Sequence, residues 1–139
     1  MTMTQQLKLL LVDDEPIVGK RLKPALEKIG CSVETVEDPR AALERIQQED
    51  FQIVITDIRM EGTDGIQILE HVMRKSPRTK VIMITGYAMM ATAREAMEKG
   101  AFDFIAKPFE PDELRAIVEK AAEALGFKLQ IPDLKGSND

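Results

Sequence analysis

Short, almost wholly apolar runs alternate along the chain with longer stretches in which apolar residues recur every three or four positions. The first run, Leu7 to Val12, ends in Asp13-Asp14-Glu15. An apolar run of this length bounded by polar residues predicts a buried strand. Pro16 then suits a first helical turn, Ile17, Val18, Leu22, Leu26 and Ile29 return at helical spacing, and Gly30 supplies a left-handed stop. Pro24 falls inside that helix, where it removes one backbone hydrogen bond and predicts a kink. Residues 33–36 are interrupted by Glu34 and Thr35 and predict an edge strand. Asp38-Pro39 then cap and open a second helix with Ala42, Leu43 and Ile46 facing inward.

The alternation continues to the end of the pattern. Residues 51–57 form an apolar run that delivers Asp57 to its exit. Asp64 is placed to cap a third helix with Ile66, Leu69, Val72 and Met73 inside, and Pro77 bars its extension. Lys80 to Thr85 predicts another core strand, ending in a hydroxyl before Gly86. The fourth helix, about residues 89–99, carries alanines with Met89, Met90 and Met97 and so predicts loose anchoring. Residues 101–106 predict a short fifth strand leading into Lys107-Pro108. Pro111 opens a last helix with Leu114, Ile117, Val118, Ala121 and Leu125, closed by Gly126.

Strands that alternate regularly with helices predict right-handed crossovers and a parallel sheet covered on both faces. The runs beginning at Leu7, Phe51 and Lys80 are apolar throughout and therefore central, whereas those around Val33 and Phe102 are broken by charge and therefore peripheral. The expected fold is α/β, a flavodoxin-like doubly wound sheet of five parallel strands in the order 2-1-3-4-5 with five helices. The expected organisation is a flexible N-terminus over 1–6, one folded domain over 7–126, and a C-terminal extension or linker stub over 127–139.

Composition narrows the function. The 139 residues carry a net charge of -5, with 44% hydrophobic and 31% charged residues, as in soluble globular proteins. The acidic balance argues against direct nucleic-acid binding, which calls for a basic surplus. The single cysteine, Cys31, permits no internal disulfide and reads as a small packing residue in a reducing compartment. No apolar run approaches the roughly 20 residues that span a bilayer, and the first residues lack the regions of a signal peptide. A cytoplasmic protein without membrane contact is expected.

The predicted topology brings Asp13, Asp14, Asp57, Thr85 and Lys107 to the carboxyl edge of the sheet, where open α/β sheets bind ligands. Like charges this close raise one another's pKa values, so their coexistence implies a counter-ion. Mg²⁺ is the natural one, since it takes carboxylate oxygens and keeps waters and phosphate oxygens as its other ligands. Lys107 adds a positive point charge. The set suits phosphoryl transfer to a carboxylate: Asp57 as nucleophile yields an aspartyl-phosphate, Mg²⁺ and Lys107 neutralise oxygen charge, and Thr85 donates to a phosphoryl oxygen.

These motifs, Val12-Asp13-Asp14-Glu15, Thr56-Asp57 with Met60 and Asp64-Gly65, Ile84-Thr85-Gly86 and Ala106-Lys107-Pro108-Phe109, resemble in order and spacing those of response-regulator receiver domains of two-component signalling. The resemblance covers residues 7 to about 125, and the stretch from Gly100 to Pro108 is most similar to the nitrogen-regulator type. It implies that Asp57 accepts a phosphoryl group from a sensor histidine kinase or phosphotransfer protein. It also implies that Asp13, Asp14, Asp57 and the backbone carbonyl of Arg59 organise Mg²⁺. Thr85 and Phe104 would act as a switch that alters the surface of helix four, strand five and helix five. That surface would control a downstream effector or output domain, or a homodimer formed on phosphorylation. Such a protein is not an enzyme in the ordinary sense, catalysing only its own phosphorylation and dephosphorylation.

The sequence departs from the family pattern at Glu61, where proline is common. Arg59 and Tyr87, two residues after Asp57 and Thr85, stand where family members flank the path of hydrolytic water, and their bulk predicts slow self-dephosphorylation. Plainer readings accompany these. Asp13-Asp14-Glu15 alone would serve as a helix cap, Phe104 alone would read as core, and His71 reads as a surface residue rather than a phosphodonor. Two other functions are weighed: a phosphorylation-independent interaction module on the same fold, and a Mg²⁺-dependent phosphatase. The phosphatase generally needs a second acid two residues after its nucleophile, where this chain has Arg59.

Overall fold

A computed structural model describes residues 6–59, 65–86 and 90–129 of the chain. In chain order the elements are β1 (Leu7–Val12), α1 (Pro16–Glu27), β2 (Cys31–Val36), α2 (Pro39–Gln48) and β3 (Ile53–Asp57). They continue with α3 (Gly65–Lys75), β4 (Lys80–Thr85), α4 (Met90–Glu98), β5 (Asp103–Ala106) and α5 (Pro111–Ala124). The sheet is parallel throughout with order β2-β1-β3-β4-β5. The doubly wound fold expected from strand composition is therefore the observed one, with the apolar strands β1, β3 and β4 inside and the charge-broken β2 and β5 at the edges.

Alternation along the strands sorts their side chains into two cores. Leu9, Leu11, Ile53, Ile55, Ile82 and Ile84 face α1 and α5, where Leu22, Leu26, Leu114 and Val118 meet them. Leu10, Val54, Val81 and Met83 face the other way, against Ala42, Ile46, Ile68, Leu69, Val72, Ala93 and Ala96 from α2, α3 and α4. A sheet covered on both faces leaves only its two ends open, and the carboxyl end is where the acids lie.

Local chemistry fixes the elements as expected in most places. Asp38 accepts a hydrogen bond from the Arg40 amide at 3.1 Å, the N-cap of α2. Gly30, Gly100 and Gly126 have positive φ after the helices they close. α1 runs through Pro24 without breaking, and Lys28 N–H donates to the Pro24 carbonyl at 3.1 Å. Lys75 in the last turn of α3 donates to the carbonyls of Ile46 and Glu49, tying the end of α2 to α3.

Three expectations need correction. β2 begins at Cys31 rather than at Val33, because its pairing with β1 extends to Leu7 opposite Cys31. Ile17, counted among the inward positions of α1, is 71% exposed. It precedes Leu22 by five residues and so lies well off the stripe that Leu22 and Leu26 define. His71, read as a surface residue, has its Nε2 buried with no hydrogen-bond partner among the described residues. The Asp64 cap, Met60, Glu61 and Met89 lie outside the described residues. Phe127 and Leu129, beyond α5, pack against the α1–α5 core, and Phe127 N–H donates to the Ala122 carbonyl at 2.9 Å. Among the described residues no helix is long and apolar enough to cross a membrane.

Candidate functional site

The strand register places the site. Val12 pairs with Thr56 and Asp57 with Ile84, while Thr85 pairs with Ala106. Asp13 therefore stands level with Asp57, and Lys107 one step beyond Thr85. The ladder continues past the strands to hold these exits: Asp13 N–H donates to Val36 O at 3.1 Å, Ile58 N–H to Ile84 O at 2.9 Å and Lys107 N–H to Thr85 O at 2.7 Å. By the same alternation Asp13, Asp57 and Lys107 follow Leu11, Ile55 and Ile105 on the α1–α5 side of the sheet.

That placement is realised in contact. Lys107 Nζ donates to Asp57 Oδ2 at 3.0 Å and to Glu15 Oε1 at 3.4 Å, and stands 3.7 Å from Asp13 Oδ2. The Asp57 carboxylate also accepts from the Arg59 amide, through Oδ1 at 3.1 Å. Asp13 Oδ1 accepts from the Glu15 amide at 2.9 Å. Asp13 is 2% exposed, Asp57 9%, and Asp14 is open to solvent.

Burial sets the electrostatics. Desolvation holds the Asp13 pKa above the ordinary carboxylate value, against the lowering effect of the Glu15 amide and the Lys107 charge. For Lys107 burial works against the ammonium, but the hydrogen bond to Asp57 and the charges of Asp57, Asp13 and Glu15 outweigh it and raise its pKa. Lys107 is thus held as a cation.

The residues present fit a divalent cation. Asp13 Oδ2 is buried and accepts no hydrogen bond among the described residues, which leaves a carboxylate oxygen free for a ligand. Carboxylate oxygens of Asp13, Asp14 and Glu15 all lie within 4.8 Å of one another. Oxygen donors clustered at an open edge are what Mg²⁺ takes.

The other named residues divide. Thr85 is fully buried and its hydroxyl donates to the Gly86 carbonyl at 3.0 Å, not to Asp57. Phe104 is half-buried, opposite Met83 in the ladder, and packs on the α2–α4 core. The Arg59 side chain is exposed, and Tyr87 lies outside the described residues.

Gly65, given no role of its own by the sequence beyond its place in the Asp64-Gly65 motif, approaches the end of β3 so closely that a Cβ on it would lie 2.2 Å from the Asp57 carbonyl oxygen. Its amide donates to the Ile58 carbonyl at 2.6 Å. Its sequence signal was the glycine itself at a helix start, where a good helix former would serve α3 better.

Residues 9–119 match the family described as response regulator receiver domain. Among curated proteins the chain is 36% identical over 129 residues to the nitrogen assimilation regulatory protein NtrX of Azorhizobium caulinodans, covering 91% of this chain and 28% of that protein. It is 38% identical over 132 residues to the regulatory protein AtoC of Escherichia coli, covering 95% of this chain and 29% of that protein. The crystal structure of the receiver domain of NtrX from Brucella abortus is similar at a TM-score of 0.78 and 34% identity, covering 83% of this chain and 98% of that one. The chain thus spans under a third of the length of these two curated relatives.

Proposed function

Since the chain belongs to the response regulator receiver domain family, we propose that Asp57 is its phosphoacceptor and that phosphorylation of Asp57 is the input of a two-component switch. The observation that carries this reading is the Lys107–Asp57 contact at 3.0 Å, set beside the buried, unsatisfied Asp13 Oδ2. An Asp57 oxygen attacks phosphorus of a phosphohistidine donor. The new O–P bond forms as the P–N bond breaks, and the electron pair leaves with the imidazole nitrogen, which takes a proton.

Lys107 orients the attacking carboxylate and then faces the phosphoryl oxygens, whose charge a fixed ammonium stabilises without reorganisation. Asp13, Asp14, Asp57 and the Arg59 carbonyl would hold Mg²⁺, which supplies further neutralisation of phosphoryl charge. The hydroxyl of Thr85, bonded to Gly86 in this state, is free to exchange that partner for a phosphoryl oxygen. Thr85 and Phe104 both project toward the α2–α4 side, so movement of one opens room for the other. α4 anchors through the small side chains of Ala93 and Ala96, as an element that shifts at low cost requires.

The donor partner is a sensor histidine kinase or phosphotransfer protein. A groove of about 250 Å³ between α1 and the residues after β5, lined by Val18, Leu22, Pro108 and Phe109, opens beside Lys107. A partner seated there reaches Asp57 from the solvent edge. Arg59 and Tyr87 slow hydrolysis of the phosphorylated state, and their joint replacement by alanine shortens its lifetime.

The test is direct. Incubated with Mg²⁺ and a small phosphodonor, the protein gains the mass of one phosphoryl group, and Asp57→Asn does not. No gain under any donor would leave a phosphorylation-independent interaction module, and continuous phosphate release from unrelated esters a phosphatase.

A further inference from the structure

Glu15 reaches the site without a place in the chemistry above. It precedes α1 but gives that helix no side-chain cap. Its side chain is 61% exposed. Even so, its Oε1 accepts from the Lys107 ammonium at 3.4 Å while the same nitrogen donates to Asp57 at 3.0 Å. Its backbone orients Asp13, and its side chain adds a further negative charge at the mouth of the site. A carboxylate in this position competes with an incoming phosphoryl group for the one ammonium that pairs with Asp57 among the described residues. It also repels that group before contact.

Taking Asp57 as the phosphoacceptor, we propose that Glu15 is a specificity-determining residue, an electrostatic gate that restrains Lys107 and selects against the more highly charged phosphodonors. A free acyl phosphate arrives as a dianion. A phosphoramidate arrives with a protonated nitrogen and less net charge. With the acyl phosphate, the Asp57 oxygen bonds to phosphorus as the bond to the bridging oxygen breaks, and the carboxylate leaves with the electron pair. With the phosphoramidate, the P–N bond breaks and ammonia leaves. The acceptor and its geometry are common to both, so the gate shows in the ratio of their rates. A unit charge several ångströms away in high dielectric changes the rate by about two- to threefold per unit of donor charge at low ionic strength, and by less as salt screens it.

Initial rates of mass gain are measured for the full chain with acetyl phosphate and with phosphoramidate at fixed, saturating Mg²⁺. The native protein, Glu15→Gln and Glu15→Lys are compared at low and physiological salt. Thermal melting verifies that each variant is folded, which the absence of a side-chain cap at Glu15 favours. Glu15→Gln is expected to speed the acetyl phosphate reaction by about four- to eightfold at low salt and the phosphoramidate reaction by about two- to threefold. Glu15→Lys extends the same order, and the difference closes as salt rises. Equal rates across the three proteins overturn the gate. So does a uniform slowing that more Mg²⁺ reverses, which would make Glu15 a cation ligand instead. A native protein that neither donor labels overturns the phosphoacceptor reading, and the gate with it.

Discussion

Replacing Gly65 with alanine would place a methyl carbon 2.2 Å from the Asp57 carbonyl oxygen, 3.0 Å from Ile58 Cα and 3.1 Å from the Asp57 carbonyl carbon. All three are backbone atoms, so no side chain can rotate away. The first distance is about 1 Å or more short of ordinary contact. Relief requires either the start of α3 or the end of β3 to move by about that amount. The Gly65 amide is bonded to the Ile58 carbonyl, so the two segments cannot separate without losing that bond. Overpacking of this kind costs about 1 to 3 kcal/mol, which in a chain of this size lowers the melting temperature by about 3 to 10 °C. The chemical effect is larger. A displacement of about 1 Å in a reacting group can cost about a hundredfold in rate, and the displaced residue here is Asp57, the proposed phosphoacceptor. Melting by circular dichroism and the rate of mass gain with a small phosphodonor, measured well below the melting point, read the two effects separately. A melting temperature unchanged within about 1 °C would refute the close approach. A loss of stability with unchanged labelling of the folded protein would refute the claim that Gly65 positions Asp57.

Three further outcomes follow from the packing and the charges. Ile68→Ala, at a fully buried position on the inner face of α3, is expected to cost about 2 to 5 kcal/mol in urea unfolding, whereas Ile17→Ala is expected to change stability by less than about 0.5 kcal/mol. Cys31 is buried and desolvation pushes its thiol pKa up to about 11, so a thiol reagent at pH 8 is expected to react only on unfolding. Glu49 accepts from Lys8 at 2.5 Å and from Arg45 at 2.6 Å, and these bonds hold its pKa below the usual carboxylate value. The folded state therefore binds that proton less readily than the unfolded chain. Its contribution is full above the unfolded pKa and is lost as pH falls through the folded one. The stability difference between the native protein and Glu49→Gln, followed by denaturation from pH 7 to 3, is expected to shrink over that window and in high salt.

What could be read in advance was what local patterning encodes. β1 and β4 begin and end where the apolar runs do, because those strands are covered on both faces and tolerate almost no polar residue within them. Sheet order followed from the same cause, since the two strands whose runs are broken by Glu34 and Asp103 are the ones at the edges. Asp57 and its neighbours were legible because a parallel sheet delivers the ends of all its strands to one edge. Less legible was whatever depends on the angle around a helix or on distance through space. Ile17 has the composition of a core residue and lies on the wrong side of α1. Glu15 and Lys107 are 92 positions apart, and nothing in either segment announces their contact. Gly65 stands in the sequence as half of the Asp64-Gly65 motif, and the carbonyl it faces shows only in the structure.

The charge balance at the carboxyl edge ties these observations together. Lys107 pairs with Asp13, Glu15 and Asp57, and it is the cation that serves all of them among the described residues. With Asp14 beside them, negative charge exceeds positive there by several units. Burial of Asp13 keeps water from relieving that excess on one side, and its Oδ2 accepts no hydrogen bond among the described residues. On the proposed reading a divalent cation held by these oxygens would offset that excess, giving Asp13 Oδ2 a ligand beyond its 3.7 Å ion pair with Lys107. Adding a phosphoryl group to Asp57 places more negative charge at the same edge. The ammonium must then move toward the new oxygens and away from Glu15. Because one ammonium pairs with all three carboxylates, a change at one of them bears on the contacts of the other two, and under the proposed phosphorylation of Asp57 the same coupling makes the edge sensitive to the charge of what approaches.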